Sequence, residues 1–599
     1  MSIHYQITPI DPHAHLFEVQ LSFATPQREQ VFSLPNWIPG SYMIRDFSRH
    51  IVQISAWSGS NELPLRKLDK SHWLVSDIHD ELQLIYQVYA WDLSVRAAHL
   101  DASHGFFNGT SVFLTVDGQE EAAVTVDILP PEGDDYAAWQ VATSLPQSDV
   151  DARGYGRYTA ADYDELIDHP VEMGDFTRVT FDACGVPHEV VLTGRFDADL
   201  ERVCADLKTI CEYQINFFGQ PAPMDRYVFL IMVVGDGYGG LEHRASTSLL
   251  VSRRHLPAVG EDAITDDYLE FLGLCSHEYF HTWNVKRIKP AAFTPYQLQQ
   301  ESHTTQLWAF EGITSYYDDL VLVRCGLIDA ARYLKVLSKT LTRVYRGAGR
   351  RKQSVSDSSF DAWNKFYKQD ENAPNAIVSY YAKGALVALS LDVELRKRSD
   401  GQVSMDQLMH RLWQDWRETG NGLAEDAIER LAAELVGEDM SGFFDHAVRG
   451  TEDLPLEASF ATLGVDCRWR AAASLTDMGG EAKTFDRPPL SLGMRYKAHD
   501  QGVQLVQVFE GGAAMLAGLS AGDVIVAVER YAMSVKQLER LQQRKRAGDA
   551  LAVHFFRHGE LREATLVLQA AEEDTCYLVA RDDASDAMAA WLGSRQPEA

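Results

Sequence analysis

The sequence predicts a multidomain α+β fold, β-rich at its start, helical in its middle and β-rich again near its end. Three observations predict it. Short alternating apolar stretches fill residues 1–170, a helical period dominates from Pro290 to about residue 470, and short strands around a glycine-rich stretch return at 485–570. A length of 599 residues suits roughly three or four domains of about 150 residues each.

The elements follow in order. HLFEVQLSF, HIVQISAW, LQLIYQVYAW and AAVTVDIL, punctuated by Pro, Gly, Asp and Asn, predict a sandwich-like β domain over 1–170. Next come RVTFDA, HEVVLTG, RYVFLIMVV and STSLLVS with a helix at about 197–218, an α+β lobe spanning 171–290. QLWAFEGITSYYDDLVLVRCG, AARYLKVLSKTLTRVY, SYYAKGALVALSLDVELRKR, SMDQLMHRLWQDWRETG and LAEDAIERLAAELVG then predict a helical lobe over 291–475, with Gly326, Gly420 and Gly437 just past helix ends. Residues 485–570 form a small strand-rich domain around GGAAMLAGLSAGDVIVAV. Residues 571–599 read as a polar, acidic tail with at most one short helix near DAMAAWLG.

Lys and Arg number 55 against 86 Asp and Glu, a net charge of -31. That charge argues against nucleic acid or an anionic membrane as a partner. The seven cysteines are scattered and contain no Cys-x-x-Cys pair, so neither a disulfide framework nor a cysteine-based metal site is expected. The first residues lack a basic segment followed by an apolar one, and no run of eighteen apolar residues occurs. The expectation is a soluble, cytoplasmic protein.

Chemistry enters at His277-Glu278-Tyr279-Phe280-His281. Residues four apart lie one above the other on a helix, so two imidazoles can share one zinc while Glu278, between them, activates its water. Tyr268, Phe271, Leu272, Leu274, Cys275, Tyr279 and Phe280 make this helix apolar nearly all round, as in a buried helix. A catalytic zinc takes three protein ligands and keeps one open position. Glu301, His303 and Glu311 compete for the third place, and spacing alone favours Glu301. Trp308-Ala309-Phe310-Glu311-Gly312, however, resembles the Trp-x-x-Glu-Gly helix that delivers the third ligand in zinc aminopeptidases related to thermolysin.

HEYFHTWNVKRIKP (277–290), LWAFEGITSYYDDL (307–320), NWIPGSYMIRDF (36–47), FFNGTSVFL (106–114) and the C-terminal segment together resemble the glycyl aminopeptidase family of zinc metallopeptidases, over nearly the whole chain. The resemblance implies a gluzincin with an N-terminal β domain (1–170), a thermolysin-like catalytic domain (171–475) and a PDZ domain (485–570). It implies one Zn2+ per chain on His277, His281 and Glu311, with Glu278 as general base. The implied substrate is a peptide with a free N-terminus, trimmed of a small first residue, glycine or alanine.

Gly239-Gly240-Leu241-Glu242-His243 stands where related aminopeptidases carry Gly-x-Met-Glu-Asn. This implies that Glu242 binds the substrate α-amine, with His243 in the place of Asn. Tyr381-Ala382-Lys383-Gly384 resembles a Tyr-Glu-Lys-Gly segment whose tyrosine stabilises the oxyanion, which implies Tyr381, with Tyr380 adjacent and Ala382 in place of Glu. Lys286 and Arg287 near the end of the motif helix suit its negative end or a substrate carboxylate. Ser491-Leu492-Gly493-Met494 and Gly-Leu-x-x-Gly-Asp at 518–523 resemble a PDZ domain, whose partner would be a peptide C-terminus. Two other readings stand beside the aminopeptidase: a zinc endopeptidase that recruits peptides through the PDZ domain, and a PDZ scaffold with a non-catalytic metal site.

Overall fold

A computed structural model describes residues 3–23, 27–582 and 585–593. The chain falls into two compact units: Met1–Ser302 with His410–Ala424, and His303–Met409 with Glu425–Ala599.

The first unit opens with an eight-stranded sheet in the order Gln147–Val150, Gly156–Ala160, Val124–Ile128, Ile3–Asp11, Leu16–Phe23, Leu82–Tyr89, Ile51–Ser58, Asn61–Leu63. Alternate residues are buried along Ile3–Asp11, Leu16–Phe23 and Leu82–Tyr89, the pattern of a sheet with one face in the core. Tyr5, Phe17, Val19, Leu21, Leu84 and Tyr86 supply that face, and Phe32, Trp73, Phe107 and Met173 come from two four-stranded sheets that close the same core. Ile3–Asp11 pairs in parallel with Val124–Ile128, a long-range pairing that no local pattern announces.

A second sheet of the same unit has five strands: Thr177–Ala183, Val186–Thr193, Tyr227–Val234, Ser246–Ser252 and, at the edge, Tyr238–Glu242. YVFLIMVV at 227–234 is apolar at every position because this central strand, parallel to both neighbours, is covered on both faces. Phe106, Ala142 and Phe176 cover one side of it, against Val191, Val228 and Leu230. Helices Leu200–Phe218 and Asp266–Phe280 pack on each other through Gln214, whose Nε2 donates to the carbonyl of Ser276 at 2.9 Å. Tyr279 of the second helix sits 2.9 Å from His188 Nε2 on the sheet.

The second unit is built on helices Ile313–Arg324, Ala330–Arg346 and Ala382–Arg398, the last buried along most of its length. A strand module follows, in the order Met494–His499, Gly502–Val508, Val524–Val528, Ala550–Arg557, Glu560–Val567, with helix Val535–Arg544 and a core of its own around Val503, Leu505, Ile525, Val553 and Phe555. Asn375 ties this module to the helices, donating to the carbonyl of Val508 at 2.8 Å and accepting from Glu510 N at 2.9 Å.

The described part of residues 571–599 carries the short helix expected near DAMAAWLG and, beyond the expected acidic tail, a paired strand. Thr575–Ala580 pairs with Val465–Arg470, and helix Ser585–Leu592 docks Trp591, whose Nε1 donates to Tyr316 Oη at 2.9 Å. The apolar alternation of Cys576 and Leu578 was short enough to be masked by the acidic residues before it. Among the described residues no helix is long and apolar enough to cross a membrane, and none of the seven cysteines is in a disulfide.

Candidate active site

Helix Asp266–Phe280 begins at Thr265, whose side chain accepts from Tyr268 N, and Asp266 and Asp267 in its first turn complement the positive end of the helix. Its other end carries the motif. His281, at the C-cap, places Nδ1 2.6 Å from the carbonyl of Asn284. A carbonyl only accepts, so Nδ1 holds the proton and Nε2 presents a lone pair. That Nε2 lies 3.0 Å from Nε2 of His277, with the two rings nearly perpendicular. Two imidazole nitrogens this close, one with its lone pair forward, suit a shared cation.

Glu278 projects beside them and is 5 % exposed. Its carboxylate fills the space that a side chain on Gly240 would take, because a Cβ built there would overlap it. Gly240 lies on the edge strand Tyr238–Glu242, which Arg96 of the β domain holds by donating to the Gly240 carbonyl at 3.1 Å. Glu242 ends the same strand, 3 % exposed, and its Oε1 makes no hydrogen bond among the described residues. Gly40, with φ of +92°, packs behind it: a Cβ at Gly40 would lie 2.6 Å from both Glu242 oxygens. Ligand atoms of Glu242, Glu278 and His281 lie within 4.8 Å of one another.

His243 and Lys286 turn elsewhere. His243 Nδ1 is 3.2 Å and Lys286 Nζ 2.7 Å from Asp168, with Arg244 Nε at 3.1 Å from the same carboxylate. Burial alone would raise the Asp168 carboxyl, but Lys286, His243 and Arg244 outweigh it and hold it well below the usual carboxylate range. Burial depresses His243, against the pull of Asp168. Arg287 donates to the carbonyls of Thr282, at 2.7 Å, and Pro223, at 2.6 Å, and burial lowers it to about 10. Asp168 carries no motif of its own, and NWIPGSYMIRDF (36–47) gives no role to its Gly40; the structure brings both to this region.

In the second unit, Trp308–Gly312 is a π-turn leading into Ile313–Arg324, a local widening common at functional sites. Glu311 on this turn is 2 % exposed, beside buried Leu307, Trp308 and Phe310. The two other third-ligand candidates differ from it. Glu301, in the first unit, is exposed, and exposed His303 gives its Nδ1 to the carbonyl of Phe360, 2.9 Å away. Gly312 meets Gly384 backbone to backbone, a Cβ on the former falling 2.6 Å from the Cα of the latter. This crossing sets Tyr381, which caps Ala382–Arg398, close to Glu311. Burial first, then the Glu311 carboxylate, push its phenol well above 10, so it stays protonated. Tyr381 is partly exposed and lies 3.4 Å, oxygen to oxygen, from Tyr367, whereas Tyr380 is fully buried against Phe366.

Two family models match the chain: the Peptidase M61 N-terminal domain over residues 4–175 and the M61 glycyl aminopeptidase over 270–387. No curated protein matches. Among solved structures, an aminopeptidase N family protein from Idiomarina loihiensis is 44% identical, with 98% of this chain and 100% of that chain covered and a TM-score of 0.95. An M1 zinc metallopeptidase from Deinococcus radiodurans shares the fold at 14% identity, over 76% of this chain and 95% of that one, with a TM-score of 0.50. With a relative this similar along its whole length and family models on both the β domain and the motif region, the chain belongs to the M61 glycyl aminopeptidase family and is a zinc metallopeptidase.

Proposed function

We propose that the enzyme is an aminopeptidase that removes a small N-terminal residue, glycine or alanine, from peptides. One observation carries the choice over an endopeptidase. Glu242 is a buried carboxylate with an oxygen that makes no hydrogen bond among the described residues, and its ligand atom lies within 4.8 Å of those of Glu278 and His281. A substrate α-ammonium satisfies that oxygen, and its capture fixes the first peptide bond, rather than an internal one, at the reacting groups. The preference for a small first residue rests on the likeness to the glycyl aminopeptidases, whose family model matches residues 270–387.

In this reading one zinc ion per chain is held by His277, His281 and Glu311. The donor set is that of a catalytic site with an open position, and Glu311 is the buried member of the three candidate third ligands. Zinc supplies Lewis acidity there, which makes a water nucleophilic near neutral pH. Glu278 takes the proton from the attacking water and returns it to the departing amine. Tyr381 donates its phenol O–H to the oxygen on which negative charge develops. His243, committed to Asp168 by Nδ1, positions the strand end that carries Glu242.

We read the C-terminal module as a PDZ domain. Met494–His499 is an edge strand, and helix Val535–Arg544 lies beside it, an arrangement that suits addition of a peptide C-terminus as a further strand. The module meets the helices at 508–510, and Arg495, Lys497, Ala498 and His499 of that edge strand are exposed. A cytoplasmic location fits seven cysteines that form no disulfide among the described residues.

The experiment is hydrolysis of a glycine-initiated tripeptide by Glu242→Gln. Loss of the ammonium–carboxylate pair should lower kcat/KM for the free peptide by on the order of 10²-fold, the scale of a charged hydrogen-bonded contact, while zinc content stays unchanged. Unchanged kcat/KM would return the endopeptidase reading.

A further inference from the structure

The N-terminal β domain holds a second cluster of metal-binding side chains, His99-Leu100-Asp101-Ala102-Ser103-His104, which the peptidase mechanism does not use. Strands Ala98–Leu100 and His104–Phe107 form a hairpin, and the turn between them orients Asp101. Its Oδ1 accepts from Ser103 N and Ser103 Oγ, both at 2.6 Å, and from His104 N at 3.1 Å. Oδ2 is left facing Nε2 of His99 at 3.2 Å. The rings of His99 and His104 stack with centroids 4.9 Å apart.

An internal ion pair explains only part of this arrangement. His104 is 2 % exposed, and its Nδ1 lies 3.1 Å from Oε1 of buried Glu172, an oxygen that Thr193 also binds at 2.9 Å. The carboxylate accepts a hydrogen bond from Nδ1–H, so in the neutral ring Nε2 carries the lone pair. Among the described residues, that Nε2 makes no hydrogen bond, and neither does Nδ1 of His99, a residue 5 % exposed. A histidine whose far nitrogen is held by a carboxylate while its near nitrogen faces other donors is the arrangement that orients a metal-binding imidazole. Ligand atoms of His99, Asp101 and His104 lie within 4.8 Å of one another.

We propose that His99, Asp101 and His104 bind a divalent transition-metal cation, in addition to the peptidase zinc. Two imidazoles and one carboxylate favour zinc, nickel or copper over magnesium or calcium, which prefer all-oxygen sites. Asp101 also lines an open cavity of about 330 Å³ with His13, His15 and Ser103. This cavity gives the ion a path from solvent and room for the water that completes its coordination.

The test is elemental analysis after equilibrium dialysis of the full chain against Zn2+ at neutral pH. Wild type should hold two zinc ions per chain, and His104→Gln should hold one and keep its peptidase activity. Asp101→Ala, altered at a side chain that is 31% exposed, provides the same readout if His104→Gln fails to fold. One zinc in wild type, or the same number in a folded variant as in wild type, would overturn the proposal.

Discussion

In the proposed mechanism Glu278 and Tyr381 divide the chemistry between a group that moves a proton and a group that keeps one. Glu278→Gln removes the base but preserves the shape of the side chain, so zinc should still bind while turnover falls nearly to background. Metal analysis beside a steady-state assay checks both halves, and normal turnover would remove Glu278 from its role. Tyr381→Phe should lower kcat by about 10²–10³ with little change in KM, the effect of losing one donor to the developing oxyanion. An unaffected kcat would transfer the role to another group. At this scale the motif was plain in the sequence because four-residue spacing on a helix brings two imidazoles together wherever the helix lies. The carbonyl of Asn284 that sets the His281 tautomer was not, since a backbone acceptor leaves no signature in residue type.

The edge strand Tyr238–Glu242 and helix Asp266–Phe280 fit together only because position 240 is glycine. Gly240→Ala would drive a methyl into the Glu278 carboxylate, so kcat should fall by at least 10²-fold, as for a misplaced catalytic group, with little loss of thermal stability. Activity near wild type would show that the two elements have slack. The sequence contained the glycine pair beside Glu242, but the reason for it lies in a helix that starts some way further along the chain. The Asp168 network was hidden for the same reason. Asp168 and Lys286 are far apart in sequence and meet only when the end of the β domain reaches the region after the motif helix. Lys286 therefore looked like a residue for the helix end, when its ammonium is committed to a buried carboxylate.

Across the whole molecule, the succession of β-rich and helical regions was legible because period-2 and period-3.6 patterns are local properties of a chain. Strand order was not. The parallel pairing of Ile3–Asp11 with Val124–Ile128 joins segments more than a hundred residues apart, and Thr575–Ala580 finds Val465–Arg470 across the entire C-terminal module. Such pairings depend on which faces need covering, a property of the assembled core. The central claim is that this zinc metallopeptidase works from a free N-terminus, with Glu242 as the anchor. The most direct measurement compares hydrolysis of a glycine-initiated peptide, free and N-acetylated, before and after zinc chelation and zinc return. The account predicts rapid cleavage of the free peptide alone, abolished by the chelator and restored by zinc. Equal cleavage of the acetylated peptide would contradict it.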